Sequence, residues 1–385
     1  LNYMKLLKAF RLQMKKYDIA IIGAGCSGLS LAHRLLNSNI NVCILESGNR
    51  ENRIRKTWSY WDIYQHPFSS LESNSLNNIY CINNSSPIKL NCDKHNYKSI
   101  DSQKFDKYIF DKIDASKNID IFFNAPVDDL IAEDKGIQIK SSNNIYRVKE
   151  VYDSRPDNID ASMYQVFLGY YINPISSTDK IMPRLMDFTQ DKEFSFYYVI
   201  PFKDNSCLVE YTFFTPIIYT SDALKKTLDS YIEDTIGQYN LIRSEYGVIP
   251  MTPKLPVSDS LKNVHKIGIR SGATRASTGY TFLNIQKQSE FFAKKIRGIN
   301  SKNPLLTIKA KVLRKMDGIL LRIIKNEPKQ AKHIIFKMFT SNNHQTIIRF
   351  LSDIPSIFDI LRIIINMPKI IFIKYAIKSL INRKI

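Results

Sequence analysis

Cysteine is scarce in this chain, and its cysteines are not paired in the sequence. Among 385 residues there are five, and they are Cys26, Cys43, Cys81, Cys92 and Cys207. None stands in the CxxC spacing that thiol redox sites and zinc sites use, and the number is odd. We therefore predict a protein of a reducing compartment, without structural disulfides and without a metal site.

Long apolar runs are also missing. A helix that spans a bilayer needs about 18 or more consecutive apolar residues, and no such run occurs. Residues 1–16 are basic and partly apolar, but the apolar core of a signal peptide does not follow them. We interpret them as a membrane-touching helix or as residues upstream of a later start at Met4 or Met14, and we favour the second.

Acidic residues are few in the C-terminal part. The whole chain has a formal net charge of +19. Residues 301–385 contain 17 Lys and Arg but only 4 Asp and Glu, so they hold 13 of the 19 excess positive charges. In the run 354–373 basic side chains alternate with Ile, Leu and Phe, which favours contact with an anionic membrane surface. The alternative is a solvated basic face in a chain rich in Lys, Asn and Ile.

Signatures of nucleic-acid binding are absent as well. The sequence has no glycine-rich basic arm, no zinc spacing and no RNA-binding aromatic pattern, and it has no internal repeat. We therefore predict a membrane surface, and not nucleic acid, as the partner. The expected location is cytoplasmic, peripheral on the inner face of the cell membrane. The sequence leaves the oligomeric state open.

The order of the apolar patterns predicts an α/β fold. Residues 17–22 and 41–46 are short apolar strands on either side of a helical segment, 27–37, which makes a βαβ opening. Residues 50–100 are polar and rich in Asn and Ser, which is typical of long loops. Aromatic and β-branched runs between 164 and 213 predict a mostly antiparallel sheet that can support a long apolar substrate.

Further helices and strands follow from the same patterns. Asp101 is placed to cap a helix that runs to about residue 112. Residues 221–239 are predicted to be helical, and 265–270 are predicted to form a strand that returns to the first domain. From about residue 285 onward the pattern is helical.

A glycine motif comes directly after the first predicted strand. Residues 23–28 read GAGCSG, a complete GxGxxG motif between a strand and a helix. Its first glycine allows the tight turn, its second lets the backbone approach a pyrophosphate, and its third lets the helix lie close to the strand. Glu46 ends the second strand, where a carboxylate can accept hydrogen bonds from ribose hydroxyls. Together they predict dinucleotide binding at a helix N-terminus; the alternative is a glycine turn without a ligand.

Two further segments favour FAD over NAD. Residues 151–155 form a strand that ends in Asp153, where flavoproteins return to the cofactor. Residues 271–280 form a loop of small residues before a helix. Taken alone, this loop or the glycine motif at 23–28 fits an ordinary turn equally well. The predicted cofactor-binding residues are Gly23, Ala24, Gly25, Cys26, Ser27, Gly28, Glu46, Asp153, Gly272 and Gly279.

The predicted architecture is a Rossmann-type FAD-binding domain with an inserted antiparallel β-sheet substrate domain and a helical C-terminal region. The first part of the FAD-binding domain is expected at 1–160, and its return segment at 261–300. The β-rich substrate domain is expected between them, at 161–260. Residues 301–385 are the predicted basic, helical, membrane-associating region.

Nine segments occur in one order along the chain. They are the fingerprint 17–46, TWSY at 57–60, DSR at 153–155, YQVFLG at 164–169, PRLMD at 183–187, FYYVIP at 196–201, LVEYT at 208–212, GVIPMT at 247–252, and RSG at 270–272 with STGY at 277–280. In this order they resemble the bacterial lycopene β-cyclase family. The sequence departs from the family pattern at Lys56, Pro156 and Ala276, where histidine, glycine and proline are usual.

The resemblance implies a lycopene β-cyclase, an FAD-dependent isomerase of carotenoid biosynthesis. Such an enzyme closes the ψ end groups of lycopene, or of a related carotenoid, into β-ionone rings without net redox change. It implies FAD in its reduced form, with NADPH as the reductant. It also implies that Glu210, in the segment 208–212, is the catalytic acid. The ring type, the number of rings closed and the source of reducing equivalents stay open.

The neighbours of Glu210 in the sequence agree with an acid role. They are apolar, and burial disfavours the charged form of a carboxyl, so its pKa should be raised as a general acid requires. The alternative is a half-exposed strand glutamate in an ion pair. Five aromatic residues are candidates for stabilising a carbocation by cation–π contact, with ordinary packing as the alternative. They are Phe196, Tyr197, Tyr198, Tyr211 and Tyr280.

Two other functions remain at this point. One is a different flavoprotein of the same fold, such as a geranylgeranyl reductase or a monooxygenase acting on an isoprenoid lipid. A reductase changes the mass of its substrate and a monooxygenase needs oxygen, whereas a cyclase does neither. The other is a basic membrane-surface or nucleic-acid-binding protein with a vestigial nucleotide fold, which would bind no flavin.

Overall fold

The computed structural model describes residues 16–84, 86–156, 159, 161–189, 192–256 and 261–381. The interpretation of residues 1–16 falls outside these residues, apart from its last position. The described strands are β1 (Ile19–Ile22), β2 (Val42–Leu45), β3 (Thr57–Trp61), β4 (Glu72–Leu76), β5 (Asn78–Asn83), β6 (Ser86–Asn91), β7 (Tyr97–Asp101), β8 (Ile119–Phe122), β9 (Val127–Glu133), β10 (Gly136–Ser141), β11 (Asn144–Val148), β12 (Glu150–Asp153), β13 (Met163–Pro174), β14 (Arg184–Phe188), β15 (Phe194–Pro201), β16 (Cys207–Thr215), β17 (Tyr239–Met251) and β18 (Val264–Lys266). The described α-helices are α1 (Cys26–Leu35), α2 (Ser102–Asp114), α3 (Ser221–Thr235), α4 (Phe282–Ile296), α5 (Ile308–Asn326), α6 (Pro328–Ser341), α7 (His344–Leu351), α8 (Ile357–Asn366) and α9 (Lys369–Ile381).

A parallel five-stranded sheet carries the glycine motif. Its strand order is β18-β12-β1-β2-β8. β1 and β2 are apolar and buried along their whole length, as expected for strands covered on both faces. Ile22 at the end of β1 is paired with Leu45 on one side and with Asp153 on the other. The residues that follow these three strands therefore lie along one edge of the sheet, where Rossmann-type folds bind their ligands.

The predicted βαβ opening and the predicted cap of the following helix are confirmed. α1 runs between β1 and β2, and it packs on α4, which covers the same sheet. Asp101 precedes α2, and its carboxylate accepts hydrogen bonds from the backbone N–H groups of Gln103 and Lys104, at 2.8 and 3.4 Å. These contacts satisfy two of the N–H groups that have no partner within a helix.

A second, seven-stranded sheet has the order β17-β13-β16-β15-β14-β5-β6. Its neighbouring strands are antiparallel except for β14 and β5. The predicted antiparallel sheet is therefore confirmed, and the fold class with it. β17 was not predicted: the helix expected at 221–239 ends at Thr235, and the chain turns back as a strand from Tyr239.

The prediction of long loops over residues 50–100 is wrong. This stretch forms β3 to β7, of which β5 and β6 extend the seven-stranded sheet while β3, β7 and β4 form a sheet of their own. Its Asn and Ser residues lie largely at strand positions that are half-buried or exposed, so the apolar alternation that predicts a strand is weak there. The strand expected at 265–270 is shorter than predicted, because the chain turns at Gly268–Ser271.

The seven-stranded sheet is covered on both faces. Leu224, Leu228 and Ile232 of α3 pack on one face. The helices α5 to α9 pack on the other face, where side chains such as Ile335 share a core with Phe194. The domain boundaries given above stay predictions, but the helical character of the chain beyond residue 285 is observed.

Candidate functional site

The glycine motif forms the turn between β1 and α1. Gly23 has a φ of +92°, in the left-handed region that favours glycine. A Cβ on Gly28 would lie 2.0 Å from the carbonyl oxygen of Gly23, so only glycine lets the helix lie this close to the strand. A Cβ on Gly25 would meet no atom of the described residues within 4 Å. The second glycine therefore borders open space at the N-terminus of α1, where a phosphate can approach the backbone.

Glu46 is held at the end of β2 by backbone N–H groups. Its Oε2 accepts a hydrogen bond from Ala24 N at 2.6 Å, and its Oε1 accepts one from Gly48 N at 2.8 Å. Arg53 lies 3.9 Å from the same carboxylate and also pairs with Asp106 at 2.6 Å. These contacts fix the carboxylate beside the glycine turn, in position to accept ribose hydroxyls.

The predicted small-residue loop runs up to α4, as expected. Gly279 has a φ of +72°, and a Cβ there would lie 2.0 Å from Gln165 Oε1. Gln165 belongs to β13, so the loop lies directly on the seven-stranded sheet. That carbonyl oxygen of Gln165 is buried and accepts no hydrogen bond from the described residues, so it faces the loop as an acceptor.

One large cavity of about 1330 Å³ joins these parts. It begins at Gly25 and Glu46, passes the loop at Gly279, and continues over the sheet to the C-terminal helices. Ordinary small-molecule pockets measure roughly 300–1,000 Å³. The cavity is therefore large enough for more than one ligand, with a polar end at the glycine turn and an apolar end at the helices.

Six of the predicted site residues line this cavity, and five do not. The lining residues are Gly25, Cys26, Ser27, Glu46, Gly279 and Glu210. The residues that do not line it are Gly23, Ala24, Gly28, Asp153 and Gly272. Of these, Gly272 has a φ of +79° and closes the turn that follows Gly268–Ser271.

Asp153 does not line the cavity but contacts an arginine that does. It is fully buried, and its carboxylate accepts hydrogen bonds from Arg155 and from Arg270. Arg270 lines the cavity, whereas Asp153 does not. The geometry thus makes Asp153 the counterion that orients Arg270. The segment RSG at 270–272 contained Arg270, but nothing in the sequence showed which of its residues faces the cavity.

Glu210 lies on β16 in the wall of the cavity. Its Oε1 accepts a hydrogen bond from the Thr212 hydroxyl at 2.6 Å. Burial raises the pKa of Glu210 to about 8; the bond from Thr212 opposes the rise and the charge of Glu245 adds to it. This carboxyl therefore holds a proton at neutral pH while facing the cavity, as a general acid must.

Glu245, on β17, was not singled out from the sequence. Gly169 of β13 is paired with Glu210 on one side and with Glu245 on the other, so both carboxyls lie on the same face of the sheet. Glu245 also lines the cavity. Its carboxylate lies 3.4 Å from the guanidinium of Arg243. The only sequence signal was its position two residues before the segment 247–252.

Three tyrosines surround the same part of the cavity. The hydroxyl of Tyr97 lies 3.1 Å from that of Tyr198 and 3.2 Å from that of Tyr280. Phe196 also lines the cavity, as do all three tyrosines. The prediction that Tyr197 and Tyr211 face a substrate is wrong, because both lie outside the cavity on the opposite face of the sheet. There Tyr197 stacks on Tyr231 of α3 at a centroid distance of 3.5 Å.

A protein-family model described as "Lycopene cyclase protein" matches residues 18–376, nearly the whole chain. The chain belongs to the lycopene cyclase family. A comparison with curated protein sequences gave no match.

Solved structures show the fold of this cyclase-family chain in other proteins. A geranylgeranyl bacteriochlorophyll reductase-like protein from Thermoplasma acidophilum is 16% identical, with a TM-score of 0.62 over 94% of this chain and 98% of the other. A p-nitrophenol 4-monooxygenase from Pseudomonas putida is 12% identical, with a TM-score of 0.65 over 90% and 98%. A halogenase variant crystallised with FAD is 12% identical, with a TM-score of 0.61 over 88% and 83%. At these identities the likeness establishes a shared flavoprotein fold.

A buried ion pair ties the loop of this cyclase-family protein to its C-terminal helices. Arg275 lies 3.2 Å from Asp317 of α5 and 3.3 Å from Asp353, which follows α7. Asp317 Oδ1 also accepts a hydrogen bond from the Ser277 hydroxyl at 2.7 Å. The loop that carries Gly279 is therefore held by the helical region as well as by the sheet.

The apolar end of the cavity reaches the protein surface at α8 and α9. Ile364, Ile365 and Ile373 line the cavity and are also exposed. Around them is a surface that we call the α8–α9 patch, made of Ile357, Phe358, Leu361, Ile364, Ile365, Ile370, Ile373 and Ile377. Exposed basic residues are interspersed with it, namely Arg362, Lys369, Lys374 and Lys378.

Among the described residues, no group of three or more His, Cys, Asp or Glu side chains is placed to hold a metal ion. No helix in the described part of the chain is long and apolar enough to cross a membrane. The five cysteines are free thiols, four of them buried.

Proposed function

We propose that this protein is a lycopene cyclase that closes ψ end groups to β-ionone rings by acid catalysis, without net redox change. The observation that carries the proposal is Glu210. Its carboxyl keeps a proton to about pH 8 and faces a cavity that continues to the dinucleotide turn. A protonated acid in an apolar cavity is what the addition of a proton to an alkene requires.

FAD is the cofactor we propose, and the site fits it. The open space at Gly25 and the N–H groups of the α1 N-terminus suit a pyrophosphate. Glu46 suits the ribose hydroxyls, and the loop at Gly279 would border the flavin ring. When bound in its reduced form, FAD supplies an electron-rich ring that stabilises a nearby positive charge. NADPH is the reductant we propose for keeping it in that form.

The chain's own residues perform the acid step. Glu210 donates its proton to the terminal double bond of the substrate, which leaves a tertiary carbocation. The aromatic faces of Phe196, Tyr198 and Tyr280 line the same cavity and can stabilise that cation. The apolar wall between the sheet and α6 excludes water, which would otherwise add to the cation.

A carotenoid is held in the bilayer, so the protein must take it from a lipid surface. We propose that the α8–α9 patch docks on the inner face of the cell membrane. Its apolar side chains suit the lipid, and each exposed Lys or Arg near an anionic surface contributes roughly 1 kcal/mol. Because the cavity reaches the surface at this patch, the substrate would pass from the bilayer to Glu210 without crossing water.

Expression in a lycopene-producing host tests the function. The wild-type chain should convert lycopene to β-carotene, and Glu210→Gln should leave lycopene unconverted while Glu210→Asp retains a small part of the activity. Glu133→Gln, an exposed change on β9, is the control and should behave as wild type. If Glu210→Gln makes β-carotene at the wild-type level, the acid role is refuted. A product with altered mass, or a dependence on oxygen, would instead indicate a reductase or a monooxygenase.

A further inference from the structure

The arrangement of Glu245 suggests a second step in the same reaction. β17, β13 and β16 are adjacent in the sheet, and Glu245, Gly169 and Glu210 form one row across them. Strands lie about 4.8 Å apart, so the two glutamate backbones are separated by roughly 10 Å. The residue between them is a glycine, so no side chain separates the two carboxyls on the cavity side.

Gly169 keeps this row open. A Cβ at Gly169 would lie 3.2 Å from Leu208 Cδ1 and 3.6 Å from Cβ and Cγ of Glu210. Any larger side chain would fill the space over which the two carboxyls face each other. Tyr198 continues the row on the far side of Glu210. The row therefore reads Glu245, Gly169, Glu210, Tyr198 along one face, and both glutamates and Tyr198 line the cavity.

The surroundings of the two carboxyls differ in one respect. In the described residues the contacts of Glu210 include the hydroxyl of Thr212 and no cation. Glu245 lies 3.4 Å from Arg243, and both side chains are largely buried. Burial raises the pKa of Glu245 as well, but here the charge of Arg243 and its hydrogen bond oppose the rise.

Arg243 is itself fixed in place. Its guanidinium lies 3.4 Å from the ring centroid of Tyr171 and donates a hydrogen bond to the carbonyl oxygen of Arg55. A fixed cation favours the ionised form of its partner. Because of this cation, we expect Glu245 to lose its proton more readily than Glu210 does.

Two carboxyls in one cavity, of which one lies beside a fixed cation and the other does not, can divide acid and base work between them. We propose that Glu245 is the base that removes the proton after ring closure, in partnership with the acid Glu210. This rests on the proposed cyclase function. Arg243 is then a positioning residue, which favours the ionised form of Glu245 and aims its carboxylate along the row.

The step balances in atoms and electrons. Glu210 gives its proton to the terminal double bond, and the tertiary cation that results bonds to the next double bond of the chain and closes the ring. The new cation loses a proton from the neighbouring carbon to Glu245, which restores a double bond. Nothing is oxidised or reduced. Glu210 ends ionised and Glu245 ends protonated, and exchange with solvent after product release restores both.

Deuterium incorporation separates the two roles. The flavin-loaded enzyme is incubated with lycopene in D₂O, and both the product and the recovered lycopene are analysed by mass spectrometry. Wild type should place one deuterium in each ring that it closes. Glu245→Gln should lower β-carotene formation by about 100-fold, the usual size of a lost acid or base, while the recovered lycopene gains deuterium because the protonated substrate reverts. Glu210→Gln should abolish both.

Two further variants keep the test decisive. Glu245→Asp retains the carboxylate and should recover part of the activity. A purely structural role of the longer side chain would not predict that recovery. If Glu245→Gln fails to fold or to retain flavin, Glu245→Asp is measured in its place. Glu133→Gln should match wild type. The inference is overturned if Glu245→Gln makes β-carotene at the wild-type rate, or if any folded Glu245 variant loses deuterium exchange together with product. A wild-type enzyme that makes no deuterated β-carotene would refute the cyclase function itself.

Discussion

The hydroxyl of Thr212 donates a hydrogen bond to Glu210 Oε1 at 2.6 Å, from two residues farther along the same strand. The two side chains share the cavity face of β16, because alternate residues of a strand point the same way. This bond stabilises the ionised form of Glu210 and so limits how far burial raises its pKa. A single hydroxyl thus adjusts the pH range over which the acid is protonated.

We predict that Thr212→Val shifts the pH profile of cyclisation upward. In the proposed mechanism Glu210 acts in its protonated form, so activity should fall as the pH rises through its pKa of about 8. Loss of the donor raises that pKa further, and the falling limb should move to higher pH by up to about one unit. The measurement is the cyclisation rate over about two pH units on either side of the limb. Thr215→Val, at the end of the same strand, is the control and should leave the pH profile unchanged. If the falling limb of Thr212→Val stays in place or moves to lower pH, the prediction is wrong.

Alanine at the second and third glycines of the motif should have different effects. A methyl group at Gly25 meets no atom of the described part of the chain within 4 Å, so Gly25→Ala should change the free energy of unfolding by less than about 1 kcal/mol while abolishing flavin retention. Gly28→Ala places its Cβ against the Gly23 carbonyl and should destabilise the fold by about 1–3 kcal/mol. Thermal unfolding and the visible flavin spectrum measure the two effects. Full flavin retention by Gly25→Ala would count against the cofactor site.

Removing one partner of the Arg275–Asp317 pair should lower the free energy of unfolding more than replacing both partners with apolar residues. Arg275→Met leaves a buried carboxylate without its cation and should destabilise the protein by about 3–5 kcal/mol. The double change Arg275→Met with Asp317→Leu should recover much of that loss. Arg147→Met, which breaks the exposed pair with Glu133, should cost less than about 1 kcal/mol. Denaturant unfolding measures all three; equal losses in the two arginine variants contradict the prediction.

The α8–α9 patch should bind anionic lipid. Phe358 and Ile370 are 75% and 87% exposed, so changing both to Ser should not disturb the core. We expect wild type to float with anionic vesicles, to bind neutral vesicles weakly, and to lose binding in the double variant and at high salt. Ile145→Ser, an exposed change on β11, is the control. Equal flotation with both kinds of vesicle at low salt would rule out the charge contribution.

The cofactor end of the site could be predicted from the sequence because its constraints are local. The turn at Gly23, the close helix at Gly28 and the acid at Glu46 occupy fixed positions in one βαβ unit. Glu210, which lines the cavity, was singled out through the resemblance of its segment and the apolar residues beside it. Both signals are contained in a few consecutive residues.

What could not be predicted depends on register between distant strands. Glu245 faces Glu210 only because both pair with Gly169, and nothing in one strand reveals which residue of another lies opposite. Asp153 was assigned to the cofactor because it ends a strand at the correct edge, but its partner Arg270 comes from 117 residues away. The polar strands between 50 and 100 were missed because tertiary pairing, and not apolar alternation, makes them strands.

The buried pair between Arg275 and Asp317 also has a consequence for how the protein is made. The arginine leaves the ribosome 42 residues before its partner, and Asp353 follows later still. Until those carboxylates emerge, the guanidinium lacks the two counterions that it has in the folded protein, and the C-terminal helices cannot yet hold the loop beside it. Flavin loading should therefore be a late event in biogenesis, completed after translation has passed residue 353 and not while the first βαβ unit is still alone.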